Sequence, residues 1–395
     1  MALWDTPFNE IDALRLQALV DQDVIEGTQL EYKELLDIST ADGKRDFVRA
    51  ITSFANSAGG DLVIGVQTKD GHPSGIVSVT SRPDFEKQRF ENVARDNIEP
   101  RLHGMNLNAV AVPDGGYVLV ARVAQSLDPP HRVTINGMNK FYGRNSAGRY
   151  ELSLEELRRL FTYGPRLSDR VREFRASRLM RIAADETPVQ LARGMRTVIH
   201  IIPLRLFAQG RNRALIAAAD QNWTMFVPPG RWDGSSHQFN LDGMFTHPRH
   251  GPRIGAYGQV FAAGAVESVL VDESEERQPP GYFLANGEMD VATIVAHYGG
   301  ALRECGVSGP LAVFVSLIGT KGMRTAESER PGSQRSIDRD QIHCDEVVLQ
   351  EIPEAAKMCA PALRDIFDQL ANAAGFNPSP NFNPDGTWRL KGRQY

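Results

Sequence analysis

The sequence has few cysteines, no long apolar run and little net charge. Its three cysteines, Cys305, Cys344 and Cys359, lack the paired spacing of a metal site, and their odd number fits a reducing compartment. No stretch approaches the ~18 apolar residues of a membrane span, and the N-terminus lacks a basic region followed by an apolar one. We therefore expect a cytoplasmic protein with no membrane-spanning helix.

The charge balance excludes one class of nucleic-acid-binding protein. A formal net charge of -5 over 395 residues is too negative for a protein that coats nucleic acid through bulk charge. Any such binding would need a local basic patch. The length suits two or three domains.

Several common catalytic signatures are absent from the sequence. No Gly-x4-Gly-Lys-Ser/Thr occurs, and Gly319-Thr-Lys-Gly322 lacks both the spacing and the hydroxyl after the lysine. His-Glu-x-x-His and Gly-x-Ser-x-Gly are also missing. These absences exclude an ATP-binding P-loop and the commoner zinc-protease and esterase sites.

Hydrophobic patterning predicts an α+β domain over residues 1–162. Strands and helices mix there without the regular alternation of a doubly wound sheet. The expected elements are a helix at 9–24, a strand at 26–34, a helix at 43–57, a strand at 62–66, a helix at 83–98, a hairpin at 107–123 and a helix at 153–161. Gly59-Gly60 is expected to end the helix at 43–57, and Asp70-Gly71 to form a tight turn.

A basic segment, residues 163–188, separates this domain from a second one. Arg166, Arg170, Arg175, Arg178 and Arg181 lie in it, and both a solvated linker helix and a phosphate-contacting helix fit the pattern. A second α+β domain of unassigned chemistry is expected over 189–376, followed by an irregular tail at 377–395. The strands expected in the second domain include 198–202, 214–219, 258–263, 266–271 and 310–318.

The stretch Glu26-Gly-Thr-Gln-Leu-Glu31-Tyr-Lys33-Glu34 carries the most specific chemistry. Because side chains alternate along a strand, Leu30 and Tyr32 should pack on one face while Glu31 and Lys33 share the other.

An acid and an amine on one strand face can serve phosphodiester chemistry. A carboxylate can hold Mg²⁺ or Mn²⁺, and a neighbouring lysine can orient or polarise a water. Glu26 could supply a second carboxylate. A solvated surface pair is the alternative, because glutamate and lysine are mostly exposed.

Three motifs in order give a resemblance to a known family. Glu26 to Glu34 is followed by Ala50-Ile-Thr-Ser-Phe-Ala-Asn-Ser-Ala-Gly-Gly60 and by Leu62-Val-Ile-Gly-Val66. Together with Lys140-Phe-Tyr-Gly-Arg144 and Leu152-Ser-Leu-Glu-Glu-Leu157, these stretches resemble the Schlafen Alba-like domain family over about residues 10–162. Residues 178–204 are similar, more loosely, to the second domain of some bacterial members.

The resemblance implies nucleic-acid binding and, in members with a full acidic set, metal-dependent cleavage of structured RNA such as tRNA. Glu26 and Glu31 match the first two acidic positions. The third falls on Thr68, and Asp70 would substitute for it if the turn were rebuilt. An association with antiphage defence is known for some bacterial members.

Two hypotheses concern the first domain, and a third places the function in the C-terminal domain, as an interaction or sensor module that acts on the first. In the first, the protein is an endoribonuclease in which Glu26 and Glu31 hold Mg²⁺ or Mn²⁺, Asp70 completes the site and Lys33 stabilises a phosphate or positions water. In the second, Thr68 leaves a nucleic-acid-binding regulator without chemistry. The residues expected to contact nucleic acid, with RNA favoured over DNA, are Lys33, Lys140, Arg144, Arg166, Arg170 and Arg175. A homodimer is expected by analogy with Alba-like folds.

Overall fold

A computed structural model describes residues 3–6, 8–229, 234–248, 254–272, 281–282, 284–325 and 335–389. The chain divides into two compact units, Met1–Ser168 and Asp169–Tyr395. Both units combine helices with sheets, so the expected α+β fold is confirmed. Across these described ranges, no helix is long and apolar enough to cross a membrane. The domain limits expected from the sequence stay predictions.

The elements of the first unit follow the expected order closely. Its helices are α1 (Ala13–Asp21), α2 (Ala41–Ala55), α3 (Pro83–Asn97) and α4 (Leu154–Phe161), and α5 (Tyr163–Ala183) crosses into the second unit. Its strands are β1 (Leu30–Lys33), β2 (Gly60–Ile64), β3 (Val66–Lys69), β4 (His72–Ile76), β5 (Ile98–Glu99), β6 (Met105–Ala111), β7 (Tyr117–Val123), β8 (Arg132–Val133), β9 (Lys140–Asn145) and β10 (Gly148–Glu151).

A four-stranded sheet in the order β1-β2-β7-β6 forms the centre of the first unit. β1 and β2 run parallel and α2 connects them, whereas the other neighbours are antiparallel. α2 buries Phe47, Ile51 and Phe54 in one core, and β1 contributes Leu30 and Tyr32 to another. The sheet is therefore covered on both faces.

Glycines set the two ends of β2. The Gly59 N–H donates to the Phe54 carbonyl at 3.0 Å with φ 75°, which closes α2 as expected. A Cβ on Gly60 would lie 2.4 Å from the Phe54 ring, so only glycine fits there. Gly65 has φ 110° and divides the apolar run, which was expected as one strand at 62–66, into β2 and β3.

The second small sheet, β10-β9-β8-β5, is antiparallel and includes the hairpin of β9 and β10. In its register Arg144 of β9 lies opposite Arg149 of β10. Ser153 caps α4 and completes a capping box with Glu156. This helix, expected at 153–161, is confirmed.

The second unit has its own helices and strands. Its helices after α5 are α6 (Leu204–Gln209), α7 (Arg213–Gln221), α8 (Leu284–Glu304), α9 (Ala356–Cys359) and α10 (Arg364–Ala373). Its strands are β11 (Met195–Pro203), β12 (Ser235–Phe239), β13 (Gly243–Pro248), β14 (Ala256–Phe261), β15 (Val266–Asp272), β16 (Gly281–Tyr282), β17 (Leu311–Ile318), β18 (Arg324–Thr325), β19 (Arg335–Ser336), β20 (Gln341–His343) and β21 (Val347–Leu349).

An eight-stranded antiparallel sheet organises this unit. Its order is β12-β13-β14-β15-β11-β17-β20, and β21 also pairs with β17. α8 packs with one large core, whereas Leu179 and Ile182 of α5 belong to a separate cluster with Tyr257 and Val269. The part of α5 within this unit is thus packed and is not a solvated linker.

The strand predicted at 214–219 is wrong, because those residues lie in α7. The Asn212 side chain caps the helix by accepting from the Leu215 N–H at 2.9 Å. Leu215 and Ala219, four residues apart, are buried. A short apolar run does not distinguish a buried helix from a strand by periodicity.

The described part of the tail, 377–389, has no helix and packs into the large core, while 390–395 lie outside the described residues. Ser379 donates to Glu288 Oε1 of α8 at 2.6 Å, and Trp388 Nε1 lies 3.4 Å from Oε2. Burial raises the pKa of Glu288 to about 7, against the lowering effect of these hydrogen bonds, and the nearby Asp368 carboxylate adds to the rise.

We expect Glu288→Gln to remove part of the pH dependence of stability. The folded protein keeps a proton on Glu288 up to about pH 7, whereas an unperturbed glutamate loses it near 4.5. The wild type therefore loses stability as the pH rises through this interval, by something on the order of 2 kcal/mol. Denaturant unfolding of both proteins at pH 5 and pH 8 measures the difference. Equal losses of stability between pH 5 and pH 8 in the wild type and in Glu288→Gln would contradict the role of Glu288.

Candidate functional site

β1 presents the acid and the amine on one face, as predicted. Leu30 and Tyr32 point into one core, while Lys33 Nζ lies 3.2 Å from Glu31 Oε1 on the opposite face. The pair is not a solvated surface pair, because Glu31 is only 4% exposed. Its partners are therefore within the domain.

Arg144 of β9 is the principal partner of Glu31. Its Nη1 donates to Glu31 Oε2, its Nε to the Gly27 carbonyl at 2.8 Å and its Nη2 to the Leu30 carbonyl at 3.1 Å. The guanidinium lies 4.7 Å from the centre of the Phe54 ring, and the side chain is 3% exposed. Arg144 was expected to contact phosphates; its burial among these acceptors makes it a structural residue instead.

Asp46 of α2 and Arg149 of β10 extend the arrangement. Arg149 Nη2 lies 2.7 Å from Asp46 Oδ1 and 3.5 Å from Glu31 Oε1, and Lys33 Nζ lies 3.1 Å from Asp46 Oδ2. We call these five residues, Glu31, Lys33, Asp46, Arg144 and Arg149, the Glu31 network. It joins β1, α2 and the β9–β10 hairpin.

The network favours the charged forms of Lys33 and Asp46. Burial alone would lower the pKa of Lys33, but the carboxylates of Glu31 and Asp46 outweigh it and raise that pKa. Burial alone would raise the pKa of Asp46, but Arg149 and Lys33 lower it. By formal charge, the two acids and three basic side chains of the network leave one positive charge over.

Glu26 and Asp70 do not join Glu31 in a shared set of ligands. Glu26 Oε1 accepts from the Tyr32 backbone N–H at 2.7 Å, and the Glu26 N–H donates to the Gly71 carbonyl at 3.2 Å. Asp70 is exposed in the β3–β4 turn with φ 54°, which confirms the predicted turn. Thr68 is exposed on β3.

These residues do not fit a divalent metal ion. Each oxygen of the Glu31 carboxylate faces a cation, and an added ion would meet three positive charges at close range. Within the part of the chain that the structure describes, no group of three or more histidine, cysteine, aspartate or glutamate side chains could hold a metal. Mg²⁺ or Mn²⁺ at Glu31, expected from the resemblance, stays a prediction, and these contacts argue against it.

The remaining residues expected to contact nucleic acid fall into two groups. Lys140 is 48% exposed with Nζ 2.5 Å from Glu151 Oε2, and Arg166 is exposed. On α5, Arg170 Nη2 donates to the Phe207 carbonyl at 3.2 Å and Arg175 Nη2 to Ser316 Oγ at 2.9 Å. The last two help to attach α5 within the second unit.

Sequence reasoning missed Asp46, Arg149 and Arg49. Arg49 donates to the Tyr142 hydroxyl at 3.0 Å and its guanidinium lies 5.1 Å from the ring centre. The signal for Arg149 was available, because a hairpin turning near Gly148 places it opposite Arg144. Asp46 and Arg49 gave no such signal, because the sequence of a helix does not show which of its charged residues will contact other elements.

The segment that contains the Glu31 network matches a known protein family. Residues 26–153 match the model described as Schlafen, AlbA_2. This segment is a Schlafen AlbA_2 domain. The Glu31 network lies wholly inside it, and the family indicates a nucleic-acid-related function for the domain.

Solved structures that match include the DIP2311 protein from Corynebacterium diphtheriae, at 14% identity with a TM-score of 0.25, over 49% of this chain and 33% of that one. Another is the N-terminal domain of a Nitrosomonas europaea protein described as related to the ATP-dependent DNA helicase RecG, at 20% identity with a TM-score of 0.26, over 32% of this chain and 85% of that one. The chain thus spans a third of the first structure. No curated protein matches the chain.

Proposed function

We propose that the Schlafen AlbA_2 domain binds nucleic acid through backbone phosphates, with RNA preferred over DNA, and does so without a metal ion at Glu31. The observation that favours binding without a metal ion is the pairing of both Glu31 oxygens with cations. The family match supports the nucleic-acid ligand, and the resemblance of the domain favours RNA. The second hypothesis, a binding protein without metal-dependent chemistry, thus fits the geometry better than the first.

Two members of the Glu31 network remain accessible to a phosphate. The side chains of Lys33 and Arg149 are 27% and 22% exposed, whereas Arg144 is enclosed. Lysine carries three N–H donors and arginine five, so ion pairing with Glu31 and Asp46 leaves donors for an anion. Charge-assisted hydrogen bonds to phosphate oxygens are strong and directional.

Further cations extend from this pair along α2 and β9. Arg49 lies one turn after Asp46 on α2, so it shares the face from which Asp46 reaches Lys33. Arg49 donates to the Tyr142 hydroxyl, and Lys140 lies two residues before Tyr142 on β9, so it shares that face of the strand. We call Lys33, Arg149, Arg49 and Lys140 the cationic face. Phosphate contacts made by such a face give affinity with little sequence choice.

Alanine substitutions on the cationic face should weaken binding. For Arg49→Ala and Lys140→Ala, which lie outside the Glu31 network, we expect a loss of roughly three- to tenfold each, because each removes one phosphate contact. The slope of log K against log salt should also shrink by about one for each lost contact. Fluorescence anisotropy with labelled tRNA, single-stranded RNA and duplex DNA at fixed salt measures both, and tRNA is expected to bind most tightly. Lys87→Ala on α3 is the matched control, and equal losses in the control would remove the assignment.

Incubation with tRNA separates the two hypotheses. We expect tRNA to stay intact with and without Mn²⁺. Cleavage that requires Mn²⁺ and disappears in Glu31→Gln would restore the endoribonuclease hypothesis. The homodimer and the cytoplasmic location stay predictions, and sedimentation equilibrium of the same samples tests the first.

A further inference from the structure

The guanidinium of Arg144 is surrounded by an oxygen set of the kind that a hard cation takes. Its three donor nitrogens face one carboxylate oxygen, Glu31 Oε2, and two backbone carbonyl oxygens, those of Gly27 and Leu30. Carboxylates and backbone carbonyls are the usual protein ligands of Ca²⁺, and carboxylates those of Mg²⁺. Arginine cannot lose its proton under ordinary conditions, so the positive charge at this position is permanent.

We propose that Arg144 is a resident counter-ion that takes the place of a divalent metal at Glu31. Two features of the surroundings hold it there. The Arg144 N–H donates to Ser57 Oγ at 2.9 Å, and the guanidinium lies over the Phe54 ring. Glu31 is then a positioning residue that orients the cations of the network and does not itself coordinate an ion.

The counter-ion role of Arg144 explains how the cationic face can bind a phosphate without a bridging metal ion. It rests on the proposed function, which supplies the nucleic-acid ligand. A metal ion commonly neutralises the repulsion between an acidic site and a phosphate. Here Arg144 neutralises Glu31 from the interior, and the donors of Lys33 and Arg149 remain on the accessible side.

Mn²⁺ titration of the full chain tests the inference directly. The free Mn²⁺ signal in electron paramagnetic resonance reports how much ion the protein takes up. We expect the isotherms of the wild type and of Glu31→Gln to coincide, since any weak binding then comes from surface carboxylates elsewhere. A site present in the wild type and absent from Glu31→Gln would overturn the proposal.

Removing the resident cation gives a second and independent reading. In Arg144→Ala, Glu31 Oε2 and the two carbonyl oxygens lose the cation that they now face. We expect this variant to melt at a lower temperature than the wild type and to regain part of the loss with Mn²⁺ or with methylguanidinium. The double variant Glu31→Gln/Arg144→Ala should show no such recovery. Equal responses of wild type, single and double variants to both ions would count against the proposal.

The outcomes distinguish this inference from the proposed function. A wild type that binds no nucleic acid, with coinciding Mn²⁺ isotherms, removes the proposed function and leaves the counter-ion role of Arg144 in place. A wild type that binds RNA but also takes up Mn²⁺ through Glu31 removes the counter-ion role and the metal-free part of the proposed function, and leaves only the binding of nucleic acid.

Discussion

Replacing Glu267 by glutamine is expected to lower the free energy of unfolding of the second unit by about 3–5 kcal/mol. The Glu267 carboxylate is fully buried on β15 and accepts from Arg178 Nε and Nη2 at 3.0 and 2.9 Å. His200 Nε2 lies 2.9 Å away and the Tyr257 hydroxyl donates at 2.8 Å. Burial alone would raise the pKa of Glu267, but the hydrogen bonds from His200 and Arg178 hold it well below the ordinary value.

Glutamine has nearly the same shape but carries no charge. The Arg178 side chain, 5% exposed, would then be a buried cation without its anion, and removing one partner of such a pair is strongly destabilising. The glutamine amide group would also turn N–H donors toward a site already filled with donors. Because Arg178 lies on α5, the loss should free that helix from the sheet.

Hydrogen exchange resolved by peptide mass spectrometry can follow each unit separately. We expect faster exchange in α5, β14 and β15 of Glu267→Gln and little change in β1 or α2. The exposed Glu304→Gln on α8 is the control, with an effect within about 0.5 kcal/mol. A double variant, Arg178→Met/Glu267→Leu, should recover much of the loss, because a buried pair replaced by apolar side chains is often neutral. If Glu267→Gln had the same free energy of unfolding as the control, Glu267 would not be the residue that holds α5 to the sheet.

Arg178 shows why a run of arginines on a helix was ambiguous in the sequence. Arg166 and Arg170 are exposed, Arg175 is half-buried and Arg178 is buried, and the last three bond to groups of the second unit. These partners lie on α6, β15 and β17, 37 to 141 residues further along the chain. Charge type alone does not show which side chains such distant elements will enclose.

Local patterns predicted much of the first unit correctly. The alternation of Leu30, Glu31, Tyr32 and Lys33 gave both faces of β1, and the helix expected at 43–57 overlaps α2. The turn at Asp70-Gly71 followed from local backbone chemistry. These features depend on residues close in sequence, where propensity and periodicity act directly.

The role of Glu31 depended on contacts that local patterns do not contain. Its main partner, Arg144, is 113 residues away in the sequence. The position where the resemblance implies a third acidic ligand is Thr68 on β3, and Asp70 after it is exposed. The resemblance gave the right domain. It did not show that the acid would be neutralised from inside the domain.

Replacing Glu31 by alanine should destabilise the first unit by about 3–5 kcal/mol, for the reason that applies to Glu267. Arg144 would remain buried with two carbonyl oxygens but no anion, and Arg149 and Lys33 would retain only Asp46. A metal ligand gives the opposite expectation, because removing a carboxylate from a cluster of acids relieves repulsion and stabilises the protein without its ion. The sign of the change is therefore informative by itself.

A double-mutant cycle isolates the Glu31–Arg144 pair. Glu31→Ala and Arg144→Met are each expected to be costly, and the double variant should cost clearly less than their sum, because the second substitution removes the charge that the first leaves unpaired. Hydrogen exchange in β1 and β9 measures the loss, with the exposed pair of Lys140 and Glu151 as the control cycle, where the coupling should be much weaker because solvent screens the charges. Additive effects of Glu31→Ala and Arg144→Met, or a first unit stabilised by Glu31→Ala in the absence of divalent ions, would show that the carboxylate is not held by the arginine and would return it to the role of a metal ligand.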